Sequence, residues 1–177
     1  MSLKHKINYQ FAMSLCCVPK KLRGVSMLEI LITVLILSLG LLGMAGLVTT
    51  GMKGNITAHY RSIATNQAQD IADRMRANLA GVRDGSYDAI TPDIPVGNDC
   101  FAAECNAAQL AIFDHSQWNT ANSILLPNGI GSVTGNLVNG FWIAVMWVEK
   151  EMNGAPDPGC PNGVPAGTRC FLTRFSP

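Results

Sequence analysis

Glu29 opens an apolar block in the string KKLRGVSMLEILITVLIL, five residues after Gly24. An ionisable group inside hydrocarbon costs roughly 2.5 to 3.5 kcal/mol, so an acid here needs either the membrane interface or a partner. Cleavage after Gly24 would free the α-amino group of Val25, a cation that could meet Glu29 of a neighbouring chain when helices pack side by side. Glu29 would then fix the register of assembly. A glutamate that only faces lipid headgroups fits the same spacing. The six cysteines fall into two groups, with Cys16 and Cys17 ahead of the block and Cys100, Cys105, Cys160 and Cys170 beyond it. In an exported domain an even number of cysteines reads as disulfides, and four allow three pairings. Short loops close readily, which favours Cys100 with Cys105 and Cys160 with Cys170. A zinc site of four thiolates is the rival, but no CxxC occurs and an exported domain sits in an oxidising compartment. Nucleophilic chemistry has little to work with. His59 and His115 are the only histidines after the block, no GxSxG is present, and GIGSVTG lacks the lysine of a phosphate loop. Asp114-His115 is expected to be a surface pair on a helix. The sequence therefore predicts no enzyme, no cofactor and no metal.

The element that must position Glu29 is the block itself. Ile30 to Met52 runs about 23 residues without a charge, enough for a bilayer-spanning helix. Lys4, Lys6, Lys20, Lys21 and Arg23 precede it with no acid among them, so the positive-inside bias keeps the N-terminus cytoplasmic and exports the remainder. A secretory signal would have a shorter apolar core ending in a small-residue cleavage site, which the AGLVTTG stretch could mimic. Gly40, Gly43 and Gly46 recur every three residues, a spacing that allows close approach between membrane helices. Beyond Lys53 the pattern turns amphipathic. Ile56, Tyr60, Ile63, Ala64, Ile71, Met75 and Leu79 share one side, which predicts a single helix from about Met27 to Leu79. Its charges read as a solvated face with weak pairs such as Asp70 to Arg74.

Charge narrows the partners. Of 13 basic residues five precede the block, leaving 8 against 12 acidic ones. An acidic remainder in which Arg74, Arg76 and Arg83 are mixed with Asp70, Asp73 and Asp84 argues against nucleic acid as a principal partner. The Gly-, Pro-, Asp- and Asn-rich stretch from Gly81 to Asn106 signals an irregular connection. A helix follows, N-capped by Asn106 with Gln109 three residues on, running through Leu110, Phe113 and Trp118 toward Ile124. Leu126-Pro127 and Asn128-Gly129 end it. Gly131 to Val138, Gly140 to Lys150 and Thr168 to Phe175 read as strands of a three-stranded antiparallel sheet laid across the helix, an α+β arrangement. Its far face is also apolar, which requires a covering element or another subunit.

The combination of basic leader, Gly24, an uncharged quartet, Glu29 and an unbroken apolar helix resembles the prepilin signature of type IV pilins and type II secretion pseudopilins. The resemblance covers Lys20 to about Met52. It implies a pilin-like fold with a long membrane-spanning helix packed on a small sheet, cleavage between Gly24 and Val25 by prepilin peptidase, N-methylation of Val25 and a subunit-assembly role for Glu29. Val25 stands where Phe is commonest in the family, and Ser26-Met27 where Thr-Leu is frequent. The leader is long, and Met13 is an alternative start. The division implied is a class III leader over 1–24, a transmembrane and filament-packing helix over 25–52, its amphipathic continuation over 53–80, and a periplasmic head over 81–177. The head is similar to PilV-type minor pilins, also called type IV pilus modification proteins. Gln69 to Asn78, the Trp118 helix with Leu126-Pro127-Asn128-Gly129, and Ala144 to Glu149 carry that similarity. It implies a bacterial inner-membrane protein incorporated into the pilus, with other minor pilins, the major pilin and the inner-membrane assembly platform as partners. The role implied is to start or cap pili and so support adhesion, twitching motility or DNA uptake. A type II secretion pseudopilin acting in protein export is the alternative.

Overall fold

The computed structural model describes residues 24–97, 99–149 and 156–177. The leader residues ahead of Gly24, Cys16 and Cys17 among them, lie outside these, as does Lys150. The chain divides into two compact units, Met1–Leu47 and Val48–Pro177, and helix α1 (Met27–Ala77) contributes to both.

In the first unit, residues 24–26 are non-helical and α1 begins at Met27. Ser26 starts it: its carbonyl accepts from the Glu29 and Ile30 amides at 3.0 and 3.2 Å, and its Oγ accepts from the Leu28 amide at 3.3 Å. The helix is long and apolar enough to cross a membrane, and none of its most apolar stretch is buried in the fold. Its hydroxyls are accommodated internally. Thr33 donates to the Ile30 carbonyl and Ser38 to the Leu35 carbonyl, each at 2.8 Å, so neither needs a partner from outside the helix.

The second unit is built on the rest of α1. Ala64, Ala68, Ile71, Ala72 and Met75 form its buried face. That face packs with helix α3 (Ala107–Leu125) and an antiparallel sheet of β1 (Ala89–Ile90), β2 (Ile130–Asn136), β3 (Gly140–Val148) and β4 (Thr168–Phe175), ordered β1-β2-β3-β4. The alternation of β3 decides which residues enter the core. Phe141, Ile143, Val145 and Trp147 are each 1 % exposed or less, with Val133 opposite Ile143 in β2.

On the outer face Trp142 is half exposed, while Ala144 and Met146 are buried. Cys170 lies opposite Met146 on that face, so its disulfide to Cys160 draws the chain around Cys160 onto it.

The α+β class read from sequence stands, with four differences of detail, the first being that the strand expected over Gly131 to Val138 runs Ile130–Asn136. The long helix stops at Ala77 rather than Leu79, because Asn78 caps a separate five-residue helix, α2 (Leu79–Arg83), by accepting from the Gly81 amide. The sheet has four strands and not three. The extra one, β1, is two residues long and pairs Ile90 with Val133, too little pattern to register in a Gly- and Pro-rich stretch. The middle strand ends at Val148, where its amide turns to donate to the Pro127 carbonyl at 2.9 Å.

Candidate processing and assembly site

The residues expected to carry processing and assembly lie together at the start of α1. The Gly24–Val25 peptide falls in the three non-helical residues, where the backbone is not committed to helical hydrogen bonds, and Glu29 follows in the first helical turn. All are exposed. Helix start and acid suit each other: with Ser26 as cap, Glu29 occupies the third helical position, where the positive end of the helix dipole favours a carboxylate.

The four remaining cysteines form two separate bonds. Cys100 and Cys105 are joined with Cα atoms 5.5 Å apart, and Cys160 and Cys170 with Cα atoms 5.3 Å apart. Among the described residues no group of three or more His, Cys, Asp or Glu side chains could hold a metal ion.

Asp114 corrects the expectation of a surface pair with His115. Its carboxylate is buried, accepting from the Tyr87 hydroxyl at 2.5 Å and from Arg74 Nη1 at 3.2 Å. Arg74 also reaches Asp70 at 2.9 Å, so the Asp70–Arg74 pair is part of a bridge from α1 to α3 and not an isolated surface contact. Burial, reinforced by the hydrogen bond to Asp114, pushes the Tyr87 phenol far above its ordinary range. For Arg74 burial opposes the charge, but the hydrogen bonds and charges of Asp70 and Asp114 outweigh it and raise its pKa. Asn78 closes the cluster, donating to Tyr87 Oη at 3.1 Å and to the Ala107 carbonyl at 2.8 Å. A Cβ at Gly81 would press on that same Asn78 amide and Ala107 carbonyl, which is why the turn into α2 needs glycine there. The cluster ties α1, α2 and α3 together.

A second tie runs through Asn119, fully buried on α3. Its amide donates to the carbonyls of Thr91, Asp93 and Gly131 at 3.0 to 3.2 Å, and its Oδ1 accepts from the Gly131 amide at 2.8 Å. A third holds the C-terminal segment. Arg169 pairs with Glu149 at 3.3 Å and with Asp157 at 2.5 Å, while Trp147 Nε1 donates to Glu149 at 3.1 Å. Sequence reading caught only the Asp70–Arg74 pair of the first network and missed the other two. The Asn106–Gln109 capping box, which it did find, starts α3.

Residues 46–116 match the family model of the type IV pilin Tt1218. The span takes in the second half of α1, α2, β1 and the first half of α3. It lies wholly beyond Gly24 and Glu29, so the pilin match rests on other residues than the leader signature does. No curated protein and no solved structure matches the chain. The Tt1218-like match supports a type IV pilin role, and the long apolar α1 fits membrane anchoring and incorporation into a pilus.

Proposed function

We propose that the chain is a minor pilin of a type IV pilus, made as a prepilin and cleaved between Gly24 and Val25 by prepilin peptidase, which also methylates the new amine. Residues 1–24 are then the discarded leader, 25–52 the membrane and filament-packing helix, 53–80 its continuation and 81–177 a periplasmic head. The N-terminus faces the cytoplasm before processing. In assembly Glu29 of one subunit meets the α-amino group of Val25 in the next, with other minor pilins, the major pilin and the inner-membrane platform as partners. The PilV-type similarity of the head supports a part in starting or capping the pilus, and through it in adhesion, twitching motility or DNA uptake.

The observation that carries this reading is the coincidence of two independent signals in one chain: Gly24 and Glu29 at prepilin spacing, and a pilin match over residues 46–116. Intact mass of the membrane-extracted protein, from cells with and without prepilin peptidase, tests it. A species beginning at Val25 with one added methyl group, present only with the peptidase, is the expected result. An uncleaved chain, or one cut beyond Met52, overturns it.

A further inference from the structure

α1 carries an apolar ridge that the fold leaves uncovered. Val48, Met52 and Ile56 are spaced four residues apart, stack on one helix face, and are 52, 60 and 51 % exposed. Tyr60 continues the spacing but packs half-buried against the core. There the ridge enters a groove of about 380 Å³, with Ile56, Tyr60, Pro127 and Val148 as its apolar lining and Lys53, Thr57 and Glu149 as its polar lining. That volume falls in the range of small-ligand sites, roughly 300 to 1,000 Å³.

The polar lining is already engaged within the protein. Glu149 accepts from Arg169, Trp147 and Thr57, the last at 3.4 Å, so its carboxylate is not held in reserve for a ligand. What the groove offers is apolar surface. Its place along the chain points to the ligand, because Ile56 lies one helical turn, about 6 Å of rise, beyond Met52, the last residue of the uncharged run. A hydrocarbon chain from the leaflet at that boundary matches the apolar lining of Ile56, Tyr60, Pro127 and Val148.

We propose that this groove holds an acyl chain of a bilayer phospholipid drawn from the leaflet beside the head, while the protein is membrane-anchored. The proposal rests on the anchored-pilin reading above. The test uses the full-length protein as extracted, placed one copy per nanodisc in phosphatidylethanolamine and phosphatidylglycerol containing a phospholipid with a diazirine on its acyl chain. After photolysis, adducts are mapped by mass spectrometry. Adducts at Ile56, Tyr60 or Val148 in addition to 30–52 are expected, and Ile56→Trp, at an exposed position, should cut the groove adducts severalfold while leaving those in 30–52 unchanged. Adducts confined to 30–52 overturn the groove proposal and leave anchoring intact. Equal labelling of Ala58 and Arg61, which lie round the helix from Ile56, or groove labelling unmoved by Ile56→Trp, also overturns it. No adduct anywhere in the chain removes anchoring as well.

Discussion

Single residues in this chain divide into those that act within the fold and those whose partners must come from outside it. Gly131 belongs to the first kind: a Cβ there would land on the Trp118 ring and the Asn122 amide. Overpacking of this sort costs about 1 to 3 kcal/mol, so Gly131→Ala should lower the thermal midpoint of the detergent-solubilised protein while leaving its cleavage unchanged. Tyr87 gives a pH signature. Its folded pKa lies above the unfolded value of about 10, so the stabilisation it provides is complete below pH 10 and is lost as pH rises beyond it. Unfolding midpoints measured from pH 8 to 11.5 should therefore fall at the alkaline end, and Tyr87→Phe should reduce that slope while lowering stability at neutral pH. Glu29 is of the second kind. It stands exposed in the first turn of α1, where the helix dipole favours its carboxylate. Under the pilin proposal Glu29→Gln is expected to be cleaved and membrane-bound yet absent from sheared pili, as read by immunoblot. Normal incorporation of that variant would remove the assembly role.

At the scale of elements, the two disulfides secure segments that lack enough regular structure to hold themselves. The Cys100–Cys105 bond closes a loop spanning 5 positions and the Cys160–Cys170 bond one spanning 10. Loop-closure entropy assigns each about 2 to 3 kcal/mol, slightly more for the longer. Cys160 does more than close a loop, since its bond brings chain onto the face where Ala144 and Met146 are buried. Replacing Cys160 and Cys170 with serine should thus lower the melting temperature more than the same change at Cys100 and Cys105, and should expose the outer face to hydrogen exchange along β3. Equal losses would mean that burial of that face does not depend on the bond.

For the molecule as a whole, the division at Leu47/Val48 separates a unit with no buried described residue from one with a continuous core. The second unit holds its own stability, through the α1 face, the sheet and Trp118, whose indole donates to the Gln67 carbonyl at 2.8 Å. The described residues of the first are all exposed, and their apolar helix fits membrane anchoring. Intact mass is the measurement on which the prepilin reading stands or falls.

The sequence by itself determined the features that local physics controls. A run of 23 uncharged residues must be a long apolar helix, Asn106 with Gln109 must start a helix, and the alternation in β3 must put Phe141, Ile143, Val145 and Trp147 on one face. These depend on neighbours a few residues away. Asp114 shows what does not: beside His115 it looks like a surface acid, and only the packing of α3 against α1 brings Arg74, 40 positions earlier, and Tyr87, 27 positions earlier, within hydrogen-bond reach. Likewise β1 is a strand because Val133 is there to pair with Ile90, and Ile56, with the right period for the core, stays half exposed. Periodicity states which side of a helix is apolar. Only the tertiary structure decides how far along the helix the core extends to cover that side, because burial needs a second surface, and that surface comes from distant parts of the chain.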